Sequence, residues 1–141
     1  MFEVHIEEFR ALMRRSREFL EEAREAKSRG RFDIACFLAE QAAQLFLKAL
    51  LLKHAGDYPR THHVRTLLSE LISAIENENA RESIRLFIRN NRARLSELED
   101  AYVMSRYTTK TYTREDAEDI VSTASELINL LSRLLGVENS V

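Results

Sequence analysis

Apolar residues recur along this chain at intervals of three and four, the period of helices buried along one face. The first such run covers Phe2 to Ser28, with Ile6, Phe9, Met13, Leu20 and Ala23 on one stripe and Gly30 placed to end it. The second, from about Phe32 to His54, is apolar nearly all round: Ile34, Phe37, Leu38, Ala42, Leu45, Phe46, Ala49 and Leu52. A helix of that kind belongs in the middle of a bundle. Its narrow polar line is Glu40, Gln44 and Lys48, each four residues apart. The turn Gly56-Asp57-Tyr58-Pro59 leads to a shorter third helix carrying Val64, Leu67, Leu68, Leu71, Ile72 and Ile75. After Asn77-Glu78-Asn79 the spacing predicts a long fourth helix, about Ala80 to Arg106, with Asn91 interrupting the stripe of Ile84, Ile88, Leu95, Leu98 and Tyr102. Thr108 to Tyr112 reads as a loop. Thr113 then serves as N-cap of a fifth helix, with acidic residues in its first turn, and Gly136 stops it. Five helices joined by short connections predict an all-α fold, an up-and-down helical bundle, in one domain spanning residues 1–141.

Composition sharpens this picture. With only 3 Gly and 1 Pro in 141 residues, the chain lacks the turn residues an all-β fold requires. The formal net charge of −2 supplies no global field for nucleic acid, so any such contact needs a local patch. Cys36 is the sole cysteine, which excludes an internal disulfide and a cysteine-clustered zinc site. The start, MFEVHIEEFR, lacks the layout of a signal peptide, and the apolar stretch around Leu45 to Leu52 is short and broken by Lys48. A cytoplasmic protein without a membrane partner is the expectation. No 34-residue period recurs, which excludes a tetratricopeptide array.

Several ordered blocks carry a resemblance. They are Gly30-Arg31-Phe32-Asp33, Ala35-Cys36-Phe37, Ala39, Gln41-Ala42-Ala43, Lys48-Ala49-Leu50-Leu51, Gly56, Pro59-Arg60-Thr61-His62 and Leu67-Leu68. A further block, Ala101-Tyr102-Val103-Met104-Ser105-Arg106-Tyr107, closes the predicted fourth helix. Together, over roughly Phe9 to Leu135, they resemble the HEPN family. The resemblance implies a bundle that forms a homodimer and pairs with a minimal nucleotidyltransferase in a two-gene, toxin–antitoxin-like prokaryotic module. Many members are metal-independent RNases with an Arg-x4-6-His motif, in which histidine moves the 2′-hydroxyl proton and arginine stabilises the phosphorane. Here none of His5, His54, His62 and His63 follows an arginine at that distance. The chain is more similar to members with a Ser-Arg-Tyr ending, and the RNase activity is not carried over.

Three sets of residues stand out. Tyr102, Ser105, Arg106 and Tyr107 offer a guanidinium fork for phosphate and rings for base stacking, against the plainer role of Arg106 as a helix-end cap. Arg60, Thr61, His62 and His63 sit at a loop-to-helix junction suited to phosphate, or to capping the turn. Asp33 favours the start of the second helix and would position Arg106 if the two ends met. Adjacent His62 and His63 do not suit one metal ion, and no cofactor is implied. Arginine lines run through two helices: Arg81, Arg85, Arg89 and Arg92, and Arg10, Arg14, Arg17 and Arg24. Intervening glutamates predict a salt-bridged face for the second of these. The leading expectation is a non-catalytic HEPN-type module that binds a nucleotide or RNA. The alternatives are a divergent RNase using Arg106 with His62 or His63, and a protein-interaction scaffold.

Overall fold

Helix α1 (Phe2–Ser28) ends where Gly30 takes a φ of 76°, a left-handed conformation that costs glycine nothing. Arg31 N–H donates to the Ala26 carbonyl and Gly30 N–H to the Lys27 carbonyl, a Schellman pair that closes the helix. This tight turn folds α2 (Phe32–Ala55) back along α1, and these two helices share the most extensive contact in the fold. Small side chains make that approach possible: Ala35, Ala39, Ala42 and Ala43 on α2 and Ala23 on α1 are all fully buried. The Ser16 hydroxyl, itself buried, donates 2.7 Å to the Ala42 carbonyl across the seam.

The computed structural model describes residues 2–137, which form six helices and, among the described residues, no strand. Helix α2 packs against α1, α3 (Val64–Ala74), α5 (Arg92–Tyr107) and α6 (Arg114–Leu135) and is the axis of the core. Among the described residues it alone is long and apolar enough to cross a membrane, with a mean hydropathy of 1.5 over its best window, but 67% of that window is buried inside the protein. Other helices cover most of its apolar residues, and Ile34 near its start is exposed. Cys36 lies among them, fully buried, with its thiol pushed up to about 12 chiefly by burial.

The predicted fourth helix is two helices. Asn77 accepts from Ala80 N–H at 2.9 Å and starts α4 (Glu78–Asn90) two residues earlier than the apolar spacing suggests. Asn91 leaves helical geometry at φ −131° and ψ 29°, and its side-chain amide donates 2.8 Å to the Phe87 carbonyl. A bonded asparagine thus ends one helix and begins the next. The earlier start also brings Glu78 within 3.4 Å of Arg81 and 3.3 Å of Arg85. The last helix follows expectation. Thr113 Oγ1 accepts from Asp116 N–H at 3.1 Å while the Asp116 carboxylate accepts from Thr113 N–H at 2.9 Å, a reciprocal capping box.

Candidate nucleotide-binding site

The N-terminus of α3 and the middle of α5 are pinned together by one carboxylate. Glu99, almost fully buried, accepts from Arg65 N–H at 2.9 Å and from the Arg65 guanidinium at 3.2 and 3.1 Å, with His63 Nδ1 at 3.5 Å. Burial raises its pKa, but these donors outweigh burial and hold the carboxyl below its usual range. This clamp sets the junction of residues 61–63 against one face of α5.

On that face the His62 imidazole stacks on Tyr102, with ring centroids 4.0 Å apart and planes 7° from parallel. His63 tilts against His62 at 4.2 Å. The Arg106 guanidinium lies 4.5 Å from the centroid of Tyr102, 4.5 Å from Tyr107 and 4.6 Å from Phe37 of α2. Its Nε and Nη2 donate to the Tyr102 carbonyl at 2.9 and 2.7 Å. Arg106 therefore does cap its own helix, and it also stands in an aromatic surround. Each cation–π contact of this kind contributes on the order of 0.5–1 kcal/mol at an exposed site. Tyr107 leaves 71% of its surface open to solvent.

The remaining expected residues divide. Ser105 turns its hydroxyl onto the Ala101 carbonyl of its own helix. Thr61 Oγ1 accepts from His63 N–H at 3.2 Å and so closes the turn. Arg60 is exposed and, among the described residues, makes no ion pair. Asp33 does not position Arg106. Its Oδ1 accepts from Tyr112 N–H at 2.8 Å and secures the loop entering α6, because that backbone donor has no helical partner. Among the described residues, no three His, Cys, Asp or Glu side chains converge as a metal site requires.

Beneath the cluster lies a feature the spacing did not reveal. The Glu40–Gln44–Lys48 line of α2 runs from the interior outward, with Glu40 fully buried, Gln44 nearly so and Lys48 partly exposed. Glu40 accepts from Gln41 and Gln44 amides at 2.8 Å each, and Lys48 donates 2.9 Å to Gln44 Oε1. Desolvation dominates there and pushes the Glu40 carboxyl up to about 7, against the pull of its amide donors, Lys48 and Arg106. Burial likewise lowers Lys48. Burial first, then His63, lowers the His62 pKa, and its Nδ1 is buried without a hydrogen-bond partner among the described residues.

This arrangement of paired long helices with a Tyr–Arg–Tyr close on α5 agrees with the comparison to known families, in which the HEPN domain profile matches residues 9–134. The chain belongs to the HEPN domain family. Two solved structures share the HEPN fold. TT1696 from Thermus thermophilus superposes with a TM-score of 0.70 at 24% identity, over 89% of this chain and 97% of that one. The archaeal HEPN homologue ST0689 gives a TM-score of 0.63 at 25% identity, with the same coverage of 89% and 97%. No curated protein matches the chain.

Proposed function

We propose that this HEPN domain binds a nucleotide or RNA without cleaving it, as a homodimer working beside a minimal nucleotidyltransferase in a two-gene, toxin–antitoxin-like system. The observation that carries the binding role is the His62–Tyr102–Arg106 stack with the open Tyr107 ring at its edge. An exposed ring accepts a base by stacking, and a guanidinium whose Nε and Nη2 serve the Tyr102 carbonyl keeps Nη1 to donate to phosphate. Absence of the Arg-x4-6-His spacing argues against cleavage. The partner and the dimer rest on the family, and the dimer draws support from exposed apolar side chains around the cluster. Ile34 is 52% exposed one turn before Phe37, and Val103 is 40% exposed one turn before Tyr107.

Fluorescence anisotropy with labelled single-stranded RNA and with labelled nucleotides tests the binding role. Loss of one stacking or phosphate contact removes about 1–3 kcal/mol, so Arg106→Ala and Tyr107→Ala are each expected to weaken binding roughly 10- to 100-fold. Equal binding by wild type and both variants contradicts the proposed site, and no binding by wild type contradicts the role.

A second reading has one observation in its favour. Folding brings His62 and Arg106 to the same Tyr102 ring, although 44 residues separate them in sequence. An imidazole and a guanidinium are the two groups that metal-independent RNA cleavage needs.

A further inference from the structure

At the opposite end of α2 from Phe37, four cations line one cavity, and no carboxylate is among its described lining residues. Arg10, Arg14 and Arg17, spaced by four and three, share one face of α1. With Lys53 from the last turn of α2 and Gly136 at the end of α6, they line a cavity of about 450 Å³ floored by Phe9 and Met13. A second, more apolar lobe of about 590 Å³ shares Phe9, Arg10 and Lys53 with the first and extends to Ile6 and Leu52. Among the described residues, no Asp or Glu lines either lobe.

The sequence pattern predicts that the glutamates of α1 neutralise this face, and they do not. Arg14 alone finds one, Glu18 at 3.9 Å, with both side chains more than half exposed. Arg10, Arg17 and Lys53 make no ion pair among the described residues. Arg24, the fourth of the line, turns away to Ser125 of α6 at 2.9 Å.

Helix dipoles provide the plainer explanation, since α2 and α6 both end at this corner. Each helix C-terminus is equivalent to about half a negative charge, so the two together balance roughly one cation. Glu18 balances another. Four cations lining one pocket, with a single ion pair among the described residues and an apolar lobe beside them, call for a multiply charged anion.

We propose that this α1–α2–α6 corner binds a diphosphate or triphosphate ester, with the phosphates among Arg10, Arg14, Arg17 and Lys53 and the organic part in the lobe of Ile6, Phe9 and Leu52. The cavity is separate from the Tyr102–Arg106 cluster. Its apolar lobe gives the organic part of a phosphate ester a contact that a nucleic-acid backbone does not use.

Titration calorimetry with inorganic triphosphate, ATP and geranyl diphosphate tests this, with a single-stranded RNA oligonucleotide as a comparison arm. Inorganic triphosphate is expected to bind saturably, and at least one ester more tightly through the apolar lobe. Arg10→Ala and Lys53→Ala are each expected to weaken binding of inorganic triphosphate and of geranyl diphosphate at least tenfold. Thermal unfolding of the wild type gives a readout that needs no variant: triphosphate should raise the midpoint more than sulfate of equal ionic strength. No binding by any of the three probes, or binding indifferent to Arg10→Ala and Lys53→Ala, overturns the proposal. So does a loss seen only with Arg106→Ala, which assigns the ligand to the α5 cluster. RNA alone responding to the Arg10 and Lys53 variants overturns it too.

Discussion

Between pH 4.5 and pH 7 the wild-type protein is expected to lose about 3 kcal/mol of unfolding free energy that a Glu40→Gln variant keeps. Burial raises the Glu40 carboxyl from its ordinary value of 4.5 to about 7. In that window the folded chain holds a proton that the unfolded chain has released, so stability falls as pH rises. The contribution is whole below pH 4.5 and gone above about pH 7, the behaviour of a group whose folded pKa is raised. Glutamine is the neutral shape mimic and has no proton to lose. The Gln41 amide can reverse to accept from it while Gln44, held by Lys48, continues to donate. Carboxyls held low in the fold, Glu99, Asp116 and Glu126, act in the opposite sense at acid pH and are common to both proteins. The wild-type-minus-variant difference therefore isolates Glu40. Urea unfolding across this range measures it, and parallel curves would mean that Glu40 is solvated.

Phe46→Ala is expected to cost about 3–5 kcal/mol, the largest effect of any substitution considered. Phe46 is 2% exposed at the centre of α2, the helix on which α1, α3, α5 and α6 all pack. Truncation leaves a cavity that four rigid neighbours cannot jointly fill. The partly exposed Val103 provides the contrast, since Val103→Ala removes little buried area and should stay within about 0.5 kcal/mol. Denaturant midpoints at constant slope give both values. A Phe46→Ala cost near that of Val103→Ala would remove α2 from the centre of the core.

The parts of this structure that are legible in the sequence are those governed by local rules. Gly30 and Gly136 end helices because a left-handed residue is needed there, and Thr113 with Asp116 announces a helix start. The all-round apolar face of α2 announces a central helix. The break at Asn91 is visible only as an interruption, because apolar periodicity resumes on the far side. What ends α4 is one side-chain amide on the Phe87 carbonyl, which no periodicity records. Asn77 followed by Glu78 does carry a capping signal, but the apolar spacing that starts at Ala80 obscures it.

The candidate site is harder to read because its parts are remote in sequence. Arg60 to His62 and Tyr102 to Tyr107 each stand out alone, yet spacing says nothing about a stack formed across 40 residues. Glu40 is hard to read for another reason. Polar residues at intervals of four mark a solvent-facing stripe, and only the cover supplied by other helices turns that stripe into a buried network. Asp33 lies at the expected helix start but serves Tyr112, since the loop entering α6 passes within hydrogen-bond reach of its carboxylate.

Binding without cleavage is the central claim, and one experiment addresses both halves of it. End-labelled single-stranded RNA is incubated with the pure protein in excess chelator, then divided between a native gel and a denaturing gel, with His62→Ala alongside. The expected result is RNA retarded on the native gel and intact on the denaturing gel. Fragments that appear with wild type and vanish with His62→Ala, or RNA that runs free at every protein concentration, would contradict it.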